Sequence, residues 1–128
     1  MNSKISNGVK VSVETQYQSE HSNPTANEFL FAYRITIENN NDFPVRLLRR
    51  YWNINDSIGS SKEVEGEGVV GQQPVINPSD TYSYVSGCNL KSDIGKMQGN
   101  YLLENINNKK TFRVSIPSFI LAAPFKLN

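Results

Sequence analysis

The chain has 128 residues, of which 13 are basic and 12 acidic, giving a formal net charge of +1, and 38% are apolar. That length suits one compact domain. The near-neutral balance argues against a nucleic-acid-binding chain, no apolar run approaches the roughly 18 residues of a membrane span, and Met1-Asn2-Ser3-Lys4-Ile5-Ser6 lacks the apolar core of a secretory leader.

Residues 1–7 are polar and read as a flexible lead-in, leaving residues 8–128 as a single domain. Val9, Val11 and Val13 then alternate with Lys10, Ser12 and Glu14, the period of a half-buried strand. Tyr17 to Thr25 is loop chemistry, with Pro24 as a breaker. The clearest strand follows: Phe29, Phe31, Tyr33, Ile35 and Ile37 share one face, a set that a helix would scatter. Asn39 to Asp42 make a turn ended by Pro44.

Val45 to Ile54 is the next strand, and its alternation slips at Leu47-Leu48. A slip of one residue is the signature of a β-bulge, and it places Leu48, Arg50, Trp52 and Ile54 on one face. An arginine among those apolar neighbours needs a partner or a route to water. Asp56 to Ser61 turns the chain, and Ser61 to Gly71 returns as strand, bend and strand. Asn77-Pro78-Ser79-Asp80 reads as a type I turn. Thr81 to Ser86 is a short strand, Gly87 to Gly99 irregular, and Asn107-Asn108 the turn of a hairpin between Tyr101-Leu102-Leu103 and Phe112 to Ile116. Pro117 closes the last clear strand, and Phe119-Ile120-Leu121 packs after it. Seven or eight short strands at this spacing predict an all-β chain, an antiparallel β-sandwich of immunoglobulin or fibronectin III type.

Chemistry-bearing residues are sparse. His21 is the single histidine and lies in a polar loop; a multi-histidine metal site is out of reach. Cys88 is the single cysteine, so no internal disulfide forms, which fits a reducing cytoplasm. No basic neighbour in sequence activates it, so it reads as a structural thiol. The carboxylates show no metal-ligand spacing. These residues predict neither an enzyme nor a cofactor or metal.

Two stretches remain as candidate sites. Gly66, Gly68 and Gly71 have the G-x-G-x-x-G spacing of a dinucleotide fingerprint. The helix that gives that motif its meaning is excluded by Pro74 and Pro78, and Val69 and Val70 favour pleated backbone. The run therefore reads as a bend between β segments. Backbone N–H groups of Gly66, Gly68, Val69, Val70 and Gly71, with Arg50, could still form a small anion-holding concavity. The second stretch is Arg46, Arg49, Arg50, Tyr51 and Trp52. Its arginines either pair with Glu63, Glu65 or Glu67 on a neighbouring strand or present forks to an anion or an acidic partner segment.

In order along the chain, Phe31 to Asn39, Leu47 to Trp52, Val64 to Pro74, Tyr84 to Gly87, Gly95 to Tyr101 and Ile116 to Phe119 together resemble the ApaG family, from about Val9 to Leu121. Tyr51 stands where the family pattern usually has histidine. The resemblance implies a small cytoplasmic bacterial protein with a fibronectin III-like sandwich, associated with cobalt and magnesium tolerance and with no established catalytic activity. It also implies genes that often neighbour that of the diadenosine tetraphosphate hydrolase. Related domains in eukaryotic F-box and polymerase-interacting proteins look like protein-interaction modules. A pyrophosphate-binding role proposed for the family's glycine motif maps onto Gly66, Gly68 and Gly71. The expected function is a non-catalytic module for an unknown protein partner, with pyrophosphate or nucleotide binding at the glycine bend as the alternative. Edge strands leave room for a homodimer.

Overall fold

The computed structural model describes residues 2–124, so the last four residues of the expected domain lie outside the described ones. Two antiparallel sheets pack face to face. The first has the order β1-β2-β3-β7, built from β1 (Asn2–Ser6), β2 (Val9–Tyr17), β3 (Phe29–Asn39) and β7 (Thr81–Leu90). The second has the order β5-β4-β8-β9, from β5 (Ser61–Glu67), β4 (Val45–Asp56), β8 (Ile94–Asn105) and β9 (Thr111–Ala122). The two-residue β6 (Val75–Ile76) pairs with the start of β4. The β-sandwich expected from the strand spacing is thus present, with nine strands among the described residues where seven or eight were expected.

The core follows the alternations. Val9, Val11 and Val13 of β2 and Phe29, Phe31, Tyr33, Ile35 and Ile37 of β3 are buried between the sheets, facing Leu47, Trp52, Met97, Tyr101, Leu103, Val114 and Ile116 of the second. Asn39 is wholly buried at the end of β3, yet satisfied. Its Nδ2 donates to the carbonyls of Phe43 and Ile76, both at 2.9 Å, and its Oδ1 accepts from the Asn41 N–H at 3.0 Å. Side-chain bonding of this kind is how a turn at a sheet end avoids orphaned backbone groups.

Four local expectations are corrected. The N-terminal segment is not a flexible lead-in: Asn2–Ser6 pairs with β2 in register from Asn2↔Val13 to Ser6↔Val9. Gly87 to Gly99 is not irregular, because β7 continues to Leu90 and β8 begins at Ile94. Pro117 does not end its strand; it sits where the β8–β9 register shifts between Met97 and Gly99, a bulge that needs no N–H from it. The Asn77–Asp80 turn has Ser79 at φ 68° after Pro78, which makes it type II.

Inside the sandwich the hydroxyls of Tyr84 and Tyr101 hydrogen-bond to each other. Burial raises both pKa values, and raises that of Tyr33 as well. Cys88 is buried and its thiol is pushed up to about 11, mainly by desolvation. All four groups are held protonated by the fold, so the unfolded chain loses their protons first as pH rises. The stability they confer is complete below about pH 9 and falls above it, at up to about 1.4 kcal/mol per pH unit for each group in its window. Urea melts between pH 8 and 11, followed alongside tyrosinate absorbance, should show the buried tyrosines ionising only as the fold is lost; native-state titration of all six tyrosines near pH 10 would contradict this.

Candidate functional site

The slip at Leu47-Leu48 and the glycine bend prove to be two halves of one structure. β4 pairs with β8 as Leu47↔Leu103 and then Arg49↔Leu102, so Leu48 is the extra residue of a bulge. The displaced Leu48 carbonyl accepts the Gly68 N–H at 2.8 Å and the Gln73 side-chain amide at 3.0 Å. Beyond Gly68, Val69 and Gln72 exchange backbone bonds in both directions, 2.8 Å and 2.9 Å, closing a hairpin with Val70 and Gly71 at its tip. Both tip residues have positive φ, 48° and 76°, as a two-residue primed turn requires. Gly71 adopts this without strain, whereas Val70 is β-branched and strained there. Gly68, at φ 59°, has no room for a Cβ, which would collide with the Gln72 carbonyl oxygen.

This arrangement engages two of the N–H groups that an anion would use. The Gly68 N–H donates to the Leu48 carbonyl and the Val69 N–H to the Gln72 carbonyl. Arg50 crosses over Gly66, its partner in the β4–β5 register, and its Nη1 donates to the Glu67 and Gly68 carbonyls, each at 3.0 Å. A Cβ on Gly66 would stand 3.0 Å from that guanidinium. The inward-facing arginine found its partner in main-chain carbonyls, not in the carboxylates of Glu63, Glu65 or Glu67. After Gly71 the chain continues to β6, not to a helix.

The arginine–aromatic stretch is divided by the bulge. Trp52 leaves the candidate surface: it is 5% exposed and packs edge-on against Tyr33, with ring centroids 5.5 Å apart, and against Phe119 at 5.9 Å. Arg50 shares its inward face. Arg46, Arg49 and Tyr51 occupy the outer face of the second sheet, because the extra residue at Leu48 restores Arg49 to the phase of Arg46. Across that face Tyr51 lies opposite Glu65 on one side and Asn100 on the other, and Arg49 opposite Glu67.

Tyr51 is the centre of this outer face. The Arg113 guanidinium of β9 stacks 4.5 Å from its ring centroid and also donates to Asn100 Oδ1 at 2.9 Å. The positive charge and donor groups of Arg113, and then of Arg49, beside the phenol hold its pKa below the ordinary tyrosine value. Beside it runs an open groove of about 750 Å³, lined by Asn53, Gln98, Asn100, Ser115 and Glu65 among others. Arg113, Asn53, Gln98, Asn100 and Ser115 were not singled out from sequence. Each is a polar residue at an alternate position of a strand, and only the cross-strand register gathers them.

His21 lies exposed in a short 3₁₀ turn, Ser19–His21, and Cys88 is buried. Among the described residues no three histidine, cysteine, aspartate or glutamate side chains are grouped to hold a metal ion. No helix among them is long and apolar enough to cross a membrane.

The family model for the ApaG domain matches residues 19–105, a span that includes the bulge, the glycine hairpin and Tyr51 but ends before Arg113 and Ser115 of β9. The chain belongs to the ApaG family. Protein ApaG of Sinorhizobium fredii is 43% identical over 120 residues, covering 94% of this chain and 92% of that one. Protein ApaG of Brucella canis is 42% identical over 124 residues, covering 97% and 95%. The crystal structure of an ApaA protein from Bordetella pertussis superposes with a TM-score of 0.87 at 40% identity, covering 91% of this chain and 94% of that one. The ApaG identity therefore extends over nearly the whole sandwich, not the glycine motif alone.

Proposed function

We propose that this ApaG-family domain is a non-catalytic protein-interaction module of the cytoplasm that docks a partner on the outer face of the β5-β4-β8-β9 sheet. The observation that carries this reading is Tyr51, its ring covered by the Arg113 guanidinium at the edge of an open groove. Tyrosine and arginine dominate the energetics of protein interfaces, and a ring fixed before binding loses little entropy on docking. The amides of Asn53, Gln98 and Asn100 offer donors and acceptors to a partner's polar atoms. The small-anion reading, with pyrophosphate or a nucleotide at Gly66 to Gly71, draws less support because the Gly68 and Val69 N–H groups are engaged within the hairpin. Any link to cobalt and magnesium tolerance would run indirectly, through the partner. An oxygen-rich surface with one histidine offers poor selectivity for cobalt.

The test is quantitative capture of a partner from the native cytoplasm. A Tyr51→Ala, Arg49→Ala double variant should weaken capture by tenfold or more, the loss of about 2 kcal/mol expected of an interface anchor. Its far-ultraviolet circular dichroism should be unchanged, since neither side chain is in the core. Undiminished capture by the folded double variant would remove this surface from consideration.

A further inference from the structure

The two seams of the sandwich are finished differently. At the β1/β9 seam, Asn2 Nδ2 donates to the Ser118 carbonyl at 3.0 Å, Asn7 Nδ2 to the Arg113 carbonyl at 2.8 Å, and the Ser115 N–H to Ser6 Oγ at 2.9 Å. At the opposite seam β7 ends one sheet, and β5 with the glycine hairpin ends the other. Between them lies a cavity of about 190 Å³, bordered by Tyr33, Arg50, Val70, Tyr84, Val85 and Ser86.

β7 lacks the devices that protect an edge. It pairs with β3 without a register break from Glu38↔Thr81 to Phe29↔Leu90, and Thr81–Leu90 contains no charged residue and no proline. Natural edges are blunted by lysine, proline, bulges or shortness, and this one has none of them over ten residues. Two aliphatic side chains stand open beside it, Val85 at 49% exposure and Val70 at 61%. Val70 is also the strained tip of the hairpin, and strain of this sort is characteristically kept at binding surfaces.

We propose that the free edge of β7 receives an extended segment of another protein as an added strand, one aliphatic side chain of that segment entering the seam cavity and acidic side chains flanking it. This goes beyond the Tyr51 reading, since it concerns the other sheet and stands or falls separately. Main-chain hydrogen bonds to an open edge give affinity, and a pocket for an alternate side chain gives selectivity. The flanking charge follows from Arg50, whose guanidinium borders the cavity and is bonded there to main-chain carbonyls, which leave its positive charge in place. A second copy of this chain fits less well. In a β7–β7 pair the copy's inward side chains, Tyr84 and Cys88, are already packed in its own core, so it has none free to enter the cavity.

The experiment is selection of random twelve-residue peptides displayed on phage against the whole domain, followed by fluorescence titration of the selected peptides. Selected sequences should alternate aliphatic and acidic residues. Their affinity should fall tenfold or more with Val85→Glu, whose side chain is half exposed and whose fold is checked by circular dichroism, and also when alternate peptide nitrogens are methylated. Tyr51→Ala should leave them unaffected. Selection of nothing, peptides insensitive to Val85→Glu, or peptides lost with Tyr51→Ala would each overturn the proposal. So would a concentration-dependent dimer of the domain that Val85→Glu abolishes.

Discussion

Trp52→Ala is expected to cost about 3–5 kcal/mol of folding stability, the range for removing a large aromatic side chain from a packed core. The indole is the hinge of an aromatic cluster, edge-on to both Tyr33 and Phe119, so its loss removes two ring contacts as well as the buried area. Against a typical total of about 5–15 kcal/mol this is a large share, equivalent to roughly 10–20 °C in melting temperature for a domain of this size. Trp52→Phe keeps a ring at the site and should cost far less. Differential scanning calorimetry of both variants separates the cases; an unchanged melting temperature for Trp52→Ala would mean that the indole stands on the surface. The same logic disqualifies Trp52→Ala as a probe of binding, because lost capture would report lost folding.

Gly68→Ala has the second large effect, and it is best read beside Gly71→Ala. Both residues have positive φ, so each substitution carries about 1–2 kcal/mol for placing a side chain in left-handed backbone. At Gly71 nothing lies within 4 Å of the new Cβ, and the cost ends there. At Gly68 the new Cβ meets the Gln72 carbonyl, which accepts the Val69 N–H. The hairpin must open, and with it go the Gly68 bond to Leu48 and the Arg50 bonds to Glu67 and Gly68. Chemical denaturation should therefore place Gly68→Ala well below Gly71→Ala in stability, by about 1–3 kcal/mol for buried groups left unpaired. Equal losses would show that the hairpin is not closed as described.

The sandwich was legible where local pattern and burial coincide. Phe29 to Ile37 announces its buried face by period alone, and the Leu47-Leu48 slip marks the bulge because a phase change in apolar residues has few other causes. Legibility failed where structure depends on partners distant in sequence. Asn2–Ser6 has no apolar alternation and becomes a strand because β2 and β9 offer it hydrogen bonds. Gly87 to Leu90 looks like loop by composition, yet β3 continues to pair with it. The glycine run reads as a bend from sequence, but that the Gly68 and Val69 N–H groups are occupied by Leu48 and Gln72 follows from three-dimensional closure. The arginine cluster was visible as a cluster; its division into Arg50 inside and Arg46, Arg49 outside turns on one inserted residue. Tyr51 was singled out with it, while Arg113, which fixes the ring, lies on β9 and is joined to it only by register.

The central claim is that the glycine-rich hairpin is closed on itself and serves the fold, leaving recognition to the sandwich's surfaces. Amide NMR of the intact domain titrated with pyrophosphate to millimolar concentration tests this most directly. The Gly68 and Val69 amides should be protected from hydrogen exchange and should not move. Saturable shifts centred on Gly68 to Gly71, with exchange protection appearing only when pyrophosphate is added, would contradict it.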